Sequence, residues 1–148
     1  MIRQKPRHQI FFSSASGFWL LASAVMKIIL VIEDDEVARE LMRMALERRG
    51  YKVAVAEDGI QGYEEAVRMR PDLIVTDIRM PAADGVHLVR RVRDTLELAD
   101  TPILVTTGFG SGSATFALAQ GATAYEPKPI NPESFLATVK RLIDKGEG

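Results

Sequence analysis

Three consecutive carboxylates, Glu33, Asp34 and Asp35, close one apolar run, KIILVI, and a fourth acid, Asp77, closes another, DLIVT. A third apolar run ends in the hydroxyl pair Thr106 and Thr107, and a further one is followed by Lys128-Pro129. Carboxylates gathered in one place repel and raise one another's pKa values unless a cation offsets them. A hard divalent ion with oxygen ligands, Mg2+ above all, is the natural partner of such a group, and its site keeps water and accepts phosphoryl oxygens. Each residue taken alone has a plainer role. Asp35 could be a helix N-cap, a threonine at a strand end is commonly a turn hydroxyl, and a lone lysine is commonly a solvated charge. Their joint placement behind four different apolar runs is what points to chemistry.

The elements that must gather them are read from apolar spacing. Residues 27–32 are β-branched and continuously apolar, as in a strand covered on both faces. Val37, Leu41, Met44, Ala45 and Arg48 recur at helical spacing with the charges mostly opposite, so they mark the expected apolar face of a helix that Gly50 stops. Residues 51–56 read as a second, half-polar strand, and Asp58 as the cap of a helix over 59–69 closed by Pro71. Residues 72–76 and 101–106 are expected strands, separated by a helix over 84–98 with Val86, Val89, Val92 and Leu96 inward. A short helix over 113–120 ends at Gly121, a fifth strand spans 122–126, and a last helix over 132–144 carries Phe135, Val139, Leu142 and Ile143 on one face. Strands alternating with helices at this spacing mean βαβ units and an open α/β sandwich with a parallel sheet. In such sheets sites form beyond the carboxyl ends of the strands, which is where the acids, hydroxyls and lysine fall.

The bulk numbers exclude several alternatives. At 148 residues the chain is one domain's worth, and a net charge of −1 leaves no electrostatic footprint for nucleic acid or an anionic membrane. With no cysteine there is no disulfide, thiol catalysis or zinc-thiolate site, and His8 and His87 have no ligand spacing around them. Residues 1–25 differ from the rest. Arg3, Lys5, Arg7 and His8 form a basic start, residues 10–25 are apolar and serine-rich, and Ala22-Ser23-Ala24 imitates a cleavage site, the outline of a secretory signal. Ser13, Ser14, Ser16, Gly17 and Ser23 interrupt the stretch, which is too short and too polar for a spanning helix. The plainer reading makes Met26 the natural start, with residues 1–25 a disordered extension or the product of a misplaced start. An accessory helix or anchor is the remaining alternative.

Residues 26–145 resemble the receiver domain of bacterial two-component response regulators. The stretches ILVIEDDE, PDLIVTDIRMPAADG, TPILVTTG and GATAYEPKPI carry the resemblance, in order and at the family's spacing, and D-x-x-M-P-x-x-D-G after an apolar strand is specific. The resemblance implies a flavodoxin-like, doubly wound five-stranded parallel sheet in the order 2-1-3-4-5, five helices on its two faces, and a tail over 146–148. It implies that Asp77 is the phosphoacceptor, its carboxylate attacking a phosphoryl group to give a mixed anhydride. Asp34 directly, Glu33 through water, Asp77 and the backbone carbonyl of Arg79 would hold Mg2+, with Mn2+ as a substitute, and Lys128 would neutralise phosphoryl oxygens. Counting five residues on from Pro102, as in the family's strand, selects Thr107 over Thr106 as the switch hydroxyl. Tyr125 is the aromatic that would rotate inward when Thr107 moves. The Lys128–Pro129 bond is expected cis in this family. Arg79 and Phe109 occupy its variable positions beside the phosphoryl site, while Pro81 and Gly85 shape the loop after Asp77. The chain departs from the family's habit at Glu126-Pro127, and at Gly108, which stands where alanine is commoner.

The expected function is that of a phospho-accepting switch, a stand-alone receiver of the chemotaxis and sporulation type rather than a metabolic enzyme. It would take phosphate from a histidine kinase or phosphotransfer protein and catalyse its own phosphorylation and dephosphorylation. It would then signal to a downstream protein through the face of its fourth helix, fifth strand and fifth helix. That places it in the cytoplasm, without nucleic-acid or membrane partners, as a monomer or a weak dimer through the same face. The alternatives are a phosphorylation-independent docking module and an aspartate-nucleophile phosphohydrolase. The latter resembles the haloacid-dehalogenase group, which wants a second aspartate where Arg79 stands.

Overall fold

Five short runs pair side by side into one parallel sheet: β1 (Ile28–Ile32), β2 (Lys52–Ala56), β3 (Leu73–Asp77), β4 (Ile103–Thr107) and β5 (Ala124–Pro127), in the order β2-β1-β3-β4-β5. Between and after them run α1 (Glu36–Arg48), α2 (Gly59–Met69), α3 (Gly85–Asp94), α4 (Ser111–Ala119) and α5 (Pro132–Gly146). This is a computed structural model, and it describes residues 26–79, 85–108 and 111–146. The extension over 1–25, Pro81 and Phe109 lie outside the described residues.

The alternation of side chains along a strand sorts the core into two layers. Ile29 and Val31 of β1 meet Met42 and Leu46 of α1 and Phe135 and Val139 of α5. Leu30 and Ile32, between them, face Ala66 of α2, Leu88, Val89 and Val92 of α3, and Ala117 of α4. Every residue of β1, β3 and β4 is therefore buried, which is why those runs are apolar almost without a break. The edge strands β2 and β5 are half-polar, and Pro127 is tolerated because β5 is bonded on one side only. From β1 the chain turns first to β2 on one side and later to β3 on the other. That reversal opens a cleft beyond the carboxyl ends of the two central strands.

Local signals set the helix ends. The carboxylates of Asp35 and Asp58 accept the amide protons of Ala38 and Gln61 at 3.0 and 2.8 Å, capping α1 and α2. After α1, Gly50 adopts a φ of 90° that an L side chain resists. Glycine is needed for space at Gly62, where a Cβ would stand 2.4 Å from Cδ1 of Ile32.

Two expectations are corrected. In α1 the inward side chains are Met42 and Leu46, while Val37 and Leu41 are 69% and 62% exposed and Met44 also faces outward. Apolar residues fill both the 37-41-44 and the 38-42-45 spacing, so periodicity alone leaves the helix free to rotate by one residue, about 100°. The contact with the sheet selects the second row. The helix expected over 84–98 stops at Asp94, and a 3-10 turn over Leu96–Leu98 follows. The Thr95 hydroxyl donates to the Arg91 carbonyl at 2.8 Å, a back-bond that competes with the helix. The change of pitch turns Leu96 outward and buries Leu98 instead.

Arg93 staples three segments together. Its guanidinium donates to the carbonyls of Gly121, Ala99 and Thr101 at 2.9, 3.2 and 2.7 Å, and to the Thr123 hydroxyl at 3.3 Å. Arg93→Met should lower folding stability by about 2 kcal/mol, because these part-buried acceptors lose a charged donor. The measurement is urea unfolding, with a lower midpoint at an unchanged m-value.

Candidate functional site

The cleft gathers residues that lie far apart in the chain. Glu33 directly follows β1, and its side chain is almost wholly buried. Asp77 ends β3 and is also buried. The Lys128 ammonium, just past β5, reaches in and donates to Glu33 Oε1 at 2.8 Å and to Asp77 Oδ2 at 3.1 Å. The other oxygens are held by backbone: Asp35 N donates to Glu33 Oε2 at 3.1 Å and Arg79 N to Asp77 Oδ1 at 3.2 Å. Asp34 is exposed, and none of the described residues hydrogen-bonds its carboxylate in the way they bond its neighbours'. Glu33, Asp34 and Asp77 each present a carboxylate oxygen within 4.8 Å of the others.

That donor set fits a hard divalent cation. It consists of oxygens only, carries three formal negative charges against one lysine, and leaves one carboxylate open toward solvent. The third of the consecutive acids, Asp35, spends its side chain on the helix cap.

Electrostatics follows from burial and pairing. Desolvation pushes the Glu33 carboxyl above its ordinary pKa, against the opposing pull of Lys128 and the Asp35 amide. Burial works against the Lys128 ammonium, but its hydrogen bonds and charge contacts with Glu33 and Asp77 outweigh that and hold its pKa above the ordinary lysine value.

The loop after Asp77 depends on Gly85. Its amide donates to the Ile78 carbonyl at 2.8 Å, and a Cβ there would lie 2.3 Å from the carbonyl oxygen of Asp77. Any other residue would displace the backbone that carries the central acid.

Of the two threonines, Thr107 ends β4 and its carbonyl accepts the Lys128 amide at 2.7 Å. Strand alternation puts Thr107 on the side of Ile103 and Val105, the layer of α2, α3 and α4, and Thr106 on the side of Leu104, the layer of α1 and α5. Tyr125 lies on the same side of β5 as Thr107 and is half exposed at the sheet edge, while Arg79 is exposed at the mouth of the cleft. The Lys128–Pro129 peptide is cis.

Two features escape sequence reading. Arg39 of α1 donates to the Glu33 carbonyl at 2.8 Å. Its sequence signal, a cation six residues after the first acid and on the first turns of the following helix, is weak. Glu126 of β5 is buried, its carboxylate accepting hydrogen bonds from Ser134 and Thr138 of α5, the Thr138 bond at 2.7 Å. A glutamate in a strand with two hydroxyls spaced four apart on the next helix is the only trace of it in the sequence.

Comparison with known proteins places the fold in a family. The family model of the response regulator receiver domain matches residues 29–140. The chain belongs to that family. It is 41% identical over 116 residues to response regulator MprA of Mycobacterium leprae (strain TN), an alignment covering 78% of this chain and 50% of that protein. The chain thus spans about half the length of the curated relatives it matches. Among solved structures it is similar to the chemotaxis response regulator CheY4 of Vibrio cholerae, at 33% identity and a TM-score of 0.76, over 80% of this chain and 99% of that one. It is also similar to the receiver domain of sensor histidine kinase PA1611 from Pseudomonas aeruginosa PAO1, at 30% identity and a TM-score of 0.75, over 81% and 99%. That structure has a magnesium ion coordinated in its active site cleft. Among the described residues of this chain, no helix is long and apolar enough to cross a membrane.

The Lys128 bridge sets a pH test in metal-free buffer. In Lys128→Met, Glu33 must ionise in a buried place without its cation. A carboxyl whose folded-state pKa is raised stabilises the fold while protonated and loses that stability as pH rises through the folded pKa. The variant should therefore weaken relative to wild type as pH rises above the ordinary carboxylate pKa of 4.5, by about 2 kcal/mol. This is less than the full cost of orphaning a wholly buried charge because Lys128 is 26% exposed. In wild type the Lys128 contribution should persist until the alkaline range, where the ammonium itself deprotonates. Urea midpoints across pH read both.

Proposed function

We propose that this chain is a phospho-accepting switch in which Asp77 takes a phosphoryl group from a phosphohistidine on a histidine kinase or phosphotransfer protein. The observation that carries the reading is the Lys128 ammonium bridging Glu33 and Asp77 beside the open Asp34 carboxylate. An Asp77 oxygen attacks phosphorus, the P–N bond to the donor imidazole breaks, and the imidazole nitrogen leaves with that electron pair and takes a proton. Lys128 stands where it can neutralise an incoming phosphoryl oxygen, and the Arg79 amide restrains the other Asp77 oxygen. Asp34, Asp77 and the Arg79 carbonyl, with Glu33 through water, would hold Mg2+, which supplies positive charge to the phosphoryl oxygens when bound.

The donor protein has a surface to meet. Beside Lys128 and Asp35 opens a groove of about 590 Å3 between α1 and α5, lined by Leu41, Met44, Ala45, Pro129, Ile130 and Phe135. An apolar row next to the acceptor suits a helix of the phosphohistidine-bearing partner. On the other side, Thr107 and Tyr125 share a strand face. A Thr107 hydroxyl drawn to the phosphoryl group would leave room for Tyr125 to turn inward. That would change a face on which Phe116, Leu118 and Tyr125 are exposed, and which would serve a downstream protein. The chain is then a regulator that turns over its own phosphoryl group, not a metabolic enzyme.

Incubation with acetyl phosphate and Mg2+ should add one phosphoryl group to the intact mass, and Asp77→Asn should abolish it. No adduct in wild type, or undiminished labelling of Asp77→Asn, overturns the acceptor assignment. Release of many equivalents of phosphate from a monoester would favour a hydrolase instead.

A further inference from the structure

Glu33 lies one residue past the last pair of β1 with β3, Ile32 with Thr76. Its amide still reaches the Ala56 carbonyl at 3.0 Å, and its carboxylate is held by Lys128 and the Asp35 amide. Its carbonyl has left the sheet. The Arg39 guanidinium takes it, donating from Nη1 at 2.8 Å. Arg39 is placed for this by the first helical bond of α1, its amide donating to the Asp35 carbonyl at 2.9 Å. The side chain is only 14% exposed, and its other nitrogen stands 3.8 Å from a Glu57 oxygen in the loop after β2.

We propose that Arg39 is a positioning residue for the cation site, fixing the Glu33–Asp34 peptide so that the otherwise unbonded Asp34 carboxylate faces Asp77. The carbonyl of that peptide is held by Arg39, and the amides of the peptides on either side are held by the Ala56 carbonyl and the Glu33 carboxylate. The inference rests on the Mg2+ reading of the site, toward which Asp34 is the carboxylate that no described residue restrains.

Two effects of Arg39 on a bound cation have opposite signs. As a charge beside three acids it repels Mg2+, so its removal would tighten binding. As the anchor of the turn it orders a ligand, so its removal weakens binding. A purely architectural role would lower the unfolding temperature and leave the affinity of the folded protein unchanged.

The experiment is calorimetric titration of MgCl2 into the full chain after EDTA treatment, with thermal unfolding recorded in parallel. Arg39→Met should raise the Mg2+ dissociation constant about tenfold, and Arg39→Lys, which keeps the charge and one donor but not the planar fork, about threefold. An unchanged or tighter constant in Arg39→Met, with wild type binding Mg2+, overturns the positioning role and leaves the metal reading standing. A wild-type chain that binds no Mg2+ overturns both. Should Arg39→Met fail to fold, Arg39→Lys decides alone: a weaker constant supports the role, and an unchanged one overturns it.

Discussion

Carboxylates brought together at the end of a sheet, with little water to screen them, drive each other apart unless a cation stands between them. Lys128 is that cation, and its two hydrogen bonds span 95 residues of sequence to Glu33 and 51 to Asp77. Only a fold that brings the ends of β1, β3 and β5 to one edge can make this contact. Three acids against one lysine leave two negative charges to balance, which is the physical reason the site suits a divalent ion. The architecture and the chemistry thus rest on one charge arrangement.

The sheet serves that arrangement by being rigid where the acids emerge. β1 and β3 lie side by side and are covered by helices on both faces, so Glu33 and Asp77 grow out of fully buried strands. Around them, close approaches fix the backbone. Gly85 lets its segment pass against the carbonyl of Asp77, Gly62 lets α2 settle on Ile32, and Asp35 begins α1 immediately after the acids. Flexibility is left for the solvent side, where Asp34 and Arg79 stand.

Much of this was legible in the sequence because it follows from short-range rules. Continuous apolar runs mark doubly covered strands, Asp35 and Asp58 cap helices, Gly50 ends one, and the acids, threonine and lysine follow strands in chain order. What was not legible depends on contacts across the fold. The rotation of α1 was ambiguous because two apolar rows compete at the same period, and only the sheet beneath chooses Met42 and Leu46. Leu96 was read as inward from helical spacing, which Thr95 interrupts by bonding the Arg91 carbonyl. Arg39 carries only a weak signal, since its partner is a backbone carbonyl and nothing in residue type marks which carbonyl has lost its strand neighbour. The choice of Thr107 over Thr106 rested on the family's spacing, and the alternation of β4 supplies an independent physical reason to separate them.

The seam between β5 and α5 has a consequence for how this chain can change over generations. Elsewhere the layers meet through apolar side chains, where one branched residue can replace another at modest cost. Glu126 with Thr138 is different, because the carboxylate and that hydroxyl satisfy one another in a buried place, while Ser134 adds a bond from the exposed side of α5. Exchanging Glu126 alone for leucine would strand the Thr138 hydroxyl, and exchanging Thr138 alone would take from the buried carboxylate its shorter bond, whereas exchanging both for apolar residues of similar shape costs far less. The two buried positions are inherited as a pair. Single steps away from it lead downhill in stability, so the polar seam is mutationally locked whether or not selection on signalling maintains it.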